Sequence, residues 1–198
     1  RGEGRLSAHG AFVTETVPRT GRSPNDKFIV REPSSEDQIW WGAVNRDITP
    51  EVFVRMKNRV VGWLNAQPEL YVQDLYCGWD PEVRMKVRIV TQNAWQNAFA
   101  RNMFVRPATD ELDDFEPDFT VLHAPDLKAR GAEDGVHSEA FVLVNFAEHL
   151  TVIGGTRYAG EIKKSIFSVM NFKLPQLDIL PMHCSANIRG DNTAIFFG

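Results

Sequence analysis

Two adjacent lysines close to a glycine-rich turn are the side chains in this sequence best suited to act on an anion. Lys163 and Lys164 follow the turn at residues 154–160, and the apolar spacing after Glu161 predicts a helix. The N-terminus of such a helix presents backbone N–H groups and a positive dipole end to an anion. Adjacent residues on a helix point about 100° apart, so the two amines can serve different partners. The alternative that spacing alone leaves open is a solvated lysine pair.

A histidine and an arginine elsewhere in the chain offer two further groups for chemistry. His183 lies in an apolar, strand-like context at residues 182–188, and a neutral imidazole is a common metal ligand. Arg22 lies in the tight loop Gly-Arg-Ser-Pro at residues 21–24, where a guanidinium can bind a carboxylate through two parallel hydrogen bonds. Each has an ordinary alternative, a packed structural histidine and a solvated surface arginine.

The last residue, Gly198, follows an apolar run at residues 194–197 that indicates a buried strand. A Walker-type phosphate loop begins in this way, but its recognition needs further glycines and a Gly-Lys-Ser/Thr sequence. Those residues are absent here, so Gly198 alone is a weak signal. The first residue is Arg1 rather than Met, and we expect the chain to be trimmed at both ends.

Composition and charge restrict the class of protein. Of 198 residues, 43% are hydrophobic and 24% charged, with a formal net charge of -4, which is typical of a globular protein. A negative balance argues against a nucleic-acid surface, and no apolar run approaches the roughly 20 residues of a membrane helix. The two cysteines, Cys77 and Cys184, suit neither a disulfide framework nor a zinc site. We therefore expect a cytoplasmic protein without nucleic-acid or membrane partners.

Three helices are predicted to position these groups. Thr49 as N-cap and Pro50 at the first helical position predict the start of one helix. Another is predicted around Trp95, and a third from Glu161 to a point before Pro175. The predicted core face of the first helix consists of Val52, Met56, Val60 and Leu64.

Strands alternate with these helices along the chain. Alternation of apolar and basic residues at 83–89 is typical of a half-buried strand, whereas the acidic residues 110–118 indicate a solvated loop. The other predicted strands are residues 70–76, 119–123, 140–146, 150–153, 182–188 and 193–197, the last two joined by a turn at 189–192. The mixture predicts an α/β fold of the mixed α+β type.

Five strings of residues occur in order along the chain. They are Thr-Gly-Arg-Ser-Pro-Asn-Asp-Lys-Phe at 20–28, Asn-Met-Phe-Val-Arg-Pro at 102–107, Ile-Gly-Gly-Thr-Arg-Tyr-Ala-Gly-Glu-Ile-Lys-Lys at 153–164, Phe-Ser-Val-Met-Asn at 167–171 and Met-His-Cys-Ser-Ala-Asn at 182–187. Together they span almost the whole chain and resemble the ATP-dependent phosphoenolpyruvate carboxykinases. The GTP-using branch is a poorer match.

The resemblance implies a fold and an activity. Residues 1–178 would form the mixed-sheet, substrate-binding N-terminal domain, and residues 179–198 the first strands of an incomplete P-loop-type mononucleotide-binding domain. The family reaction, which serves gluconeogenesis, decarboxylates oxaloacetate and transfers the γ-phosphoryl group of ATP to the enolate, yielding phosphoenolpyruvate, ADP and CO2. It uses Mn²⁺, and Mg²⁺ with ATP. The remainder of the same enzyme would be a partner of this chain.

The same resemblance implies roles for individual residues. Arg22 would bind the substrate carboxylate or the departing CO2, and Tyr158 would lie against the substrate. Gly198 would be the first glycine of the phosphate loop and contribute to nucleotide binding.

The lysine pair and the histidine would form the metal site. Lys164 and His183 would be ligands of Mn²⁺, with Lys164 also close to substrate and phosphate, while Lys163 would stabilise the enolate and the transferring phosphoryl group. A protonated ammonium has no lone pair, so Lys164 would have to be neutral. Its pKa would be lowered by the metal, by burial and by the neighbouring charge of Lys163.

The sequence also lacks parts of the family pattern. A Gly-x-Ser-Gly-Thr-Gly-Lys-Thr loop, a metal-binding aspartate and a further substrate-binding arginine would follow Gly198, so we expect no turnover from this portion alone. One alternative is an independent, non-catalytic carboxylate-binding module. Another is a different P-loop phosphotransferase, which would keep the phosphate loop but not the set Arg22, Tyr158, Lys164 and His183.

Overall fold

The computed structural model describes residues 2–198 and confirms the mixed α/β class. The chain divides into two compact units, Arg1–Ile166 and Phe167–Gly198. The division into domains at residues 1–178 and 179–198 stays a prediction. The helices are α1 (Pro50–Asn65), α2 (Ala94–Met103) and α3 (Gly160–Lys173). None of the helices in residues 2–198 has both the length and the apolar character needed to cross a membrane.

A seven-stranded mixed sheet forms the framework of the first unit. The strands of this unit are β1 (Arg5–Leu6), β2 (Phe12–Val13), β3 (Lys27–Val30), β4 (Arg46–Ile48), β5 (Tyr71–Cys77), β6 (Met85–Thr91), β7 (Phe119–Ala124), β8 (Phe141–Asn145) and β9 (Leu150–Gly154). The strand order in the large sheet is β4-β3-β8-β9-β7-β6-β5. Four neighbouring pairs are parallel, namely β4–β3, β3–β8, β9–β7 and β7–β6. The other two pairs, β8–β9 and β6–β5, are antiparallel. A separate two-stranded sheet contains β1 and β2.

Helix α1 begins where the sequence predicts it. The Thr49 side chain accepts a hydrogen bond from the backbone N–H of Val52 at 3.4 Å, which caps the helix. The face that packs in the core of the sheet carries Phe53, Met56, Val60 and Leu64. Val52, predicted on this face, is only partly buried against the core, and the fully buried Phe53 takes the more central place. A single apolar stripe thus anchors α1 to the sheet.

The structure confirms the predicted strands of the sheet, and their ends differ from the predicted ones by no more than two residues. Strand β6 alternates between buried and half-buried residues along its length, as its apolar–basic pattern predicts. One of its basic side chains, Arg88, forms a bidentate pair with Asp74 on β5, with Nε–Oδ1 and Nη2–Oδ2 distances of 2.7 and 2.8 Å. Strand β8 is buried along its whole length between β3 and β9, which explains its continuous apolar sequence.

The acidic stretch at residues 110–118 is exposed for most of its length, as predicted for a solvated loop. It is nevertheless fixed to the sheet at two points. Glu111 accepts hydrogen bonds from the Tyr76 hydroxyl at 3.1 Å and from Arg84 at 2.8 Å, and the Phe115 ring is buried. The stretch is therefore anchored to β5 through Tyr76.

The second unit contains the antiparallel hairpin of β10 (Ser185–Arg189) and β11 (Asn192–Phe196), which confirms the predicted strand pair and turn. The prediction that the final strand is buried is wrong, because Ile195 and Phe196 are 42% and 58% exposed. Within this unit the hairpin has no further strand beside it, and two strands alone cannot cover their own apolar faces. The predicted strand at 182–188 also begins later, so His183 precedes β10 and is exposed rather than packed in a strand.

Candidate active site

The glycine-rich turn predicted between β9 and α3 is present and depends on its glycines. Gly155 has a φ of +65°, and a Cβ there would collide with the carbonyl oxygen of Glu139. A Cβ at Gly160 would collide with the Tyr158 ring. The Tyr158 ring therefore lies directly against Gly160, the first residue of α3, whereas Gly155 allows the turn to approach the backbone of Glu139.

Two buried polar side chains hold the turn from the interior. His123 on β7 bonds through Nε2 to the carbonyl oxygen of Thr156 at 2.9 Å, and Gln96 on α2 donates through Nε2 to the carbonyl oxygen of Arg157 at 3.0 Å. Both side chains are fully buried. Because a carbonyl oxygen only accepts, Nε2 of His123 carries the hydrogen. Burial lowers the pKa of His123 to about 4, so this histidine is neutral at pH 7.

Sequence reasoning missed both supports of the turn. The available signal was a polar residue at a position where the pattern of β7 or α2 calls for an apolar one. A polar side chain at such a position is buried and needs a hydrogen-bond partner within the fold. The identity of those partners depends on the packing of β7 and α2 beside the turn, and no local pattern specifies that.

We expect the protein to become less stable as the pH decreases, because of His123. The histidine has an ordinary pKa near 6.5 when unfolded and about 4 when folded, so the unfolded chain binds the proton first as pH decreases. The free energy of unfolding decreases by roughly 3 kcal/mol as the pH falls from about 6.5 to about 4.

Replacing His123 with glutamine in the complete protein tests this expectation. The His123→Gln variant should lack this decrease in a plot of unfolding midpoint against pH. His9→Gln, at an exposed histidine, should leave the plot unchanged. Parallel plots for the parent protein and His123→Gln would refute the assignment.

The loop that carries Arg22 is fixed by a network around a buried carboxylate. Asp26 accepts hydrogen bonds from Arg19 at 3.3 Å and pairs with His137 Nδ1 at 3.0 Å. Arg19 also donates to the hydroxyls of Ser23 at 3.1 Å and Ser138 at 2.8 Å. The Arg22 guanidinium itself is exposed and makes no hydrogen bond to any residue among 2–198. The backbone of the loop is therefore held while this side chain stays available.

The Arg22 loop lies against the first turn of α3. The backbone N–H of Ser23 donates to Oε1 of Glu161 at 2.6 Å. Burial, the Arg22 charge and the Lys163 charge lower the pKa of Lys164. The expected effect of burial and of Lys163 on Lys164 is thus confirmed, and Arg22 adds to it. The structure brings Arg22, Lys163 and Lys164 together at one end of α3, with Tyr158 in the turn that precedes it.

The other two predicted site residues belong to the second unit. The exposed His183 ring packs against Phe167, with 5.4 Å between the ring centroids, and Gly198 is exposed at the end of the chain. Convergence of Lys164 and His183 on one metal ion stays a prediction. Among residues 2–198, no three His, Cys, Asp or Glu side chains gather in a group that could hold a metal ion.

A cleft of about 290 Å³ borders the glycine-rich turn on the side of Arg157. Its cationic side chains are already paired with carboxylates. Arg157 donates twice to Asp126 Oδ1, at 3.0 and 2.8 Å, and Lys128 pairs with Glu139 at 2.9 Å. These ion pairs distinguish the cleft from the cluster at α3, where the charges of Arg22 and Lys163 act on Lys164.

Comparison with known proteins gives a consistent result along the whole chain. The family model described as phosphoenolpyruvate carboxykinase, in its ATP-dependent form, matches residues 1–198. Proteins named phosphoenolpyruvate carboxykinase (ATP) are similar to all of this chain, with 51% identity in Thermus thermophilus and 52% in Bacillus velezensis. A relative from Salinibacter ruber, named phosphoenolpyruvate carboxykinase (ATP) 1, is 52% identical. The chain spans 38% of the length of the first two relatives and 37% of the third.

Proposed function

Because the chain belongs to the ATP-dependent phosphoenolpyruvate carboxykinase family, we propose that the complete protein converts oxaloacetate and ATP into phosphoenolpyruvate, ADP and CO2. The reaction is a decarboxylation followed by phosphoryl transfer to the enolate oxygen. We place it in gluconeogenesis and in the cytoplasm. The nucleotide-binding loop would come from the remainder of the protein, because this chain covers 38% of its relatives' length.

The observation that carries this proposal is the cationic cluster at the start of α3. Arg22 lies close enough to Lys164 to lower its pKa, together with burial and the charge of Lys163. Oxaloacetate, its enolate and the phosphoryl group are all anions, and preorganised cations stabilise negative charge that develops in a transition state. Such a cluster is costly in an unliganded protein and suits a site that binds more than one anion.

Within this cluster we assign a separate task to each side chain. The Arg22 guanidinium binds the carboxylate of oxaloacetate with two parallel hydrogen bonds and later faces the departing CO2. The Tyr158 ring, held against Gly160, lies beside the substrate. The Lys163 side chain stabilises the enolate oxygen and the transferring phosphoryl group by its positive charge.

We assign Lys164 and His183 to a divalent metal ion, which we take to be Mn²⁺, with Mg²⁺ accompanying ATP. These residues fit a metal because the lowered pKa of Lys164 favours its neutral, electron-donating amine, and an imidazole nitrogen is a common ligand. A bound divalent ion supplies Lewis-acid polarisation of substrate and phosphate oxygens. The two lysines would thus act in opposite protonation states, Lys164 as a donor of a lone pair and Lys163 as a cation.

Replacing Arg22 with glutamine in the complete protein is expected to raise the KM for oxaloacetate about a hundredfold while the KM for ATP changes little. The loss corresponds to about 3 kcal/mol, the order expected when charge-assisted hydrogen bonds to a carboxylate are removed. Steady-state assays of phosphoenolpyruvate formation with varied oxaloacetate or ATP measure both values.

The exposed Arg101 on α2 offers a matched control for this experiment. We expect Arg101→Gln to leave both KM values unchanged. An unaltered KM for oxaloacetate in Arg22→Gln would contradict the role of Arg22. If the complete parent protein forms no phosphoenolpyruvate in this assay, the non-catalytic, carboxylate-binding alternative would be favoured.

A further inference from the structure

One buried side chain, that of Glu161, joins the Arg22 loop to the first turn of α3. Its Oε1 accepts the backbone N–H of Ser23 at 2.6 Å, although the two residues are 138 positions apart in sequence. Glu161 is 3% exposed, so water cannot replace it as the acceptor without local opening. A buried N–H group that loses its only acceptor is strongly disfavoured. The hydrogen bond therefore restrains the residue next to Arg22.

Glu161 is also tied to the other side of the site through its backbone. Its N–H donates to the carbonyl oxygen of Tyr158 at 3.2 Å, and the Tyr158 ring lies against the adjacent Gly160. A single residue thus contacts the turn that carries Tyr158 and the loop that carries Arg22. It lies two positions before Lys163 on the same helix.

Burial and the charges that face Glu161 have opposing effects on the pKa of its carboxyl group. Burial raises the pKa of Glu161, whereas the cations Arg22 and Lys27 lower it and the Asp26 carboxylate raises it. The net effect is a raised pKa, so burial outweighs the attraction of the cations. The remainder of the loop is also fixed through Arg19 and Asp26, and the Ser23 N–H adds a direct hydrogen bond to α3.

We infer that Glu161 is a positioning residue, whose carboxylate places the Arg22 guanidinium for substrate binding by accepting the Ser23 N–H. The inference rests on the proposed function, in which Arg22 binds the carboxylate of oxaloacetate. Glu161 does not touch the substrate; it acts through the backbone of the Arg22 loop. Its hydrogen-bond acceptor, rather than its negative charge, is the feature that matters.

The test compares Glu161→Ala with Glu161→Gln in the complete protein. We expect Glu161→Ala to lower kcat/KM for oxaloacetate about tenfold to a hundredfold, because small displacements of a positioning group have effects of this size. The KM for ATP should stay near the parent value. Glu161→Gln keeps an amide oxygen that can accept from Ser23, so it should restore most of the lost kcat/KM. Glu82→Ala, at an exposed glutamate, serves as the control and should behave as the parent.

A double variant gives the sharpest readout. If Glu161 acts only through Arg22, adding Glu161→Ala to Arg22→Gln should cause no further loss in kcat/KM for oxaloacetate. The inference would be overturned if the loss of kcat/KM in the double variant equalled the product of the losses in the two single variants. So would equal losses in Glu161→Gln and Glu161→Ala, since these would point to the charge rather than the acceptor.

Two remaining outcomes separate this inference from the proposed function. A Glu161→Ala protein with a lowered unfolding midpoint but parent kinetics would make Glu161 merely structural and overturn the inference alone. Normal use of oxaloacetate by Arg22→Gln would instead overturn the proposed function itself. Strong impairment in Arg22→Gln with none in Glu161→Ala again refutes only the positioning role.

Discussion

Replacing Lys164 with alanine in the complete protein is expected to weaken Mn²⁺ binding and to lower kcat by more than about a hundredfold. Loss of an outer-shell partner alone costs 10- to 100-fold in metal affinity or activity, and a direct ligand should cost more. Calorimetric titration of the protein with Mn²⁺ and steady-state kinetics measure the two effects. His183→Ala should show the same combination, because we assign it to the same ion.

Lys164→Arg distinguishes a metal ligand from a simple positive charge. A guanidinium cannot lose its proton in a protein, so the arginine variant should be as defective as the alanine variant. Recovery of activity in Lys164→Arg would show that charge is sufficient and would end the ligand assignment. Lys128→Ala removes an exposed lysine paired with an exposed glutamate and should leave Mn²⁺ affinity and kcat unchanged.

Replacing Asp134 with alanine is expected to destabilise the folded protein by about 3 kcal/mol, at the lower end of the range for breaking a buried ion pair. The Asp134 carboxylate is completely buried and pairs with Arg59 of α1 and with Arg130, whose Nη2 lies at 2.8 Å. Burial opposes ionisation, yet hydrogen bonds from Arg130 and Arg59 lower the pKa of Asp134. Both arginines keep some contact with solvent, which limits the penalty. Denaturant or thermal unfolding measures the difference.

A neighbouring glutamate provides the matched control for Asp134. Glu133 also pairs with Arg130, at 3.4 Å, but its side chain is 72% exposed. Exposed pairs contribute at most about 1 kcal/mol, so Glu133→Ala should change stability by only a small fraction of the Asp134→Ala loss. Similar losses in the two variants would be evidence against the importance of burial at Asp134.

The elements of the fold could be predicted where local chemistry specifies them. The cap at Thr49 and the apolar stripe of α1 are properties of neighbouring residues, and the helix forms as they indicate. The alternation along β6 and the continuous apolar run of β8 likewise follow from how many faces each strand buries. Local patterns did not predict the exposure of Ile195 and Phe196, because burial depends on which layer covers a strand.

The candidate site divides in the same way. The order of short strings along the chain identified the family and supplied Arg22, Tyr158, Lys163, Lys164 and His183 as candidates. The structure then placed the Arg22 loop against α3, and it revealed supports that no string had indicated. Glu161 belongs to one of the strings, yet its partner Ser23 lies 138 residues away.

The sequence by itself determined the family, the element types and the chemical groups available for anion binding, because these depend on residue identity and short-range spacing. Only the tertiary structure decided that Arg22 lowers the pKa of Lys164 and that the glycine-rich turn rests on His123 and Gln96. Electrostatic coupling and buried hydrogen bonds depend on distances between residues remote in sequence. Those distances are set by the packing of strands and helices.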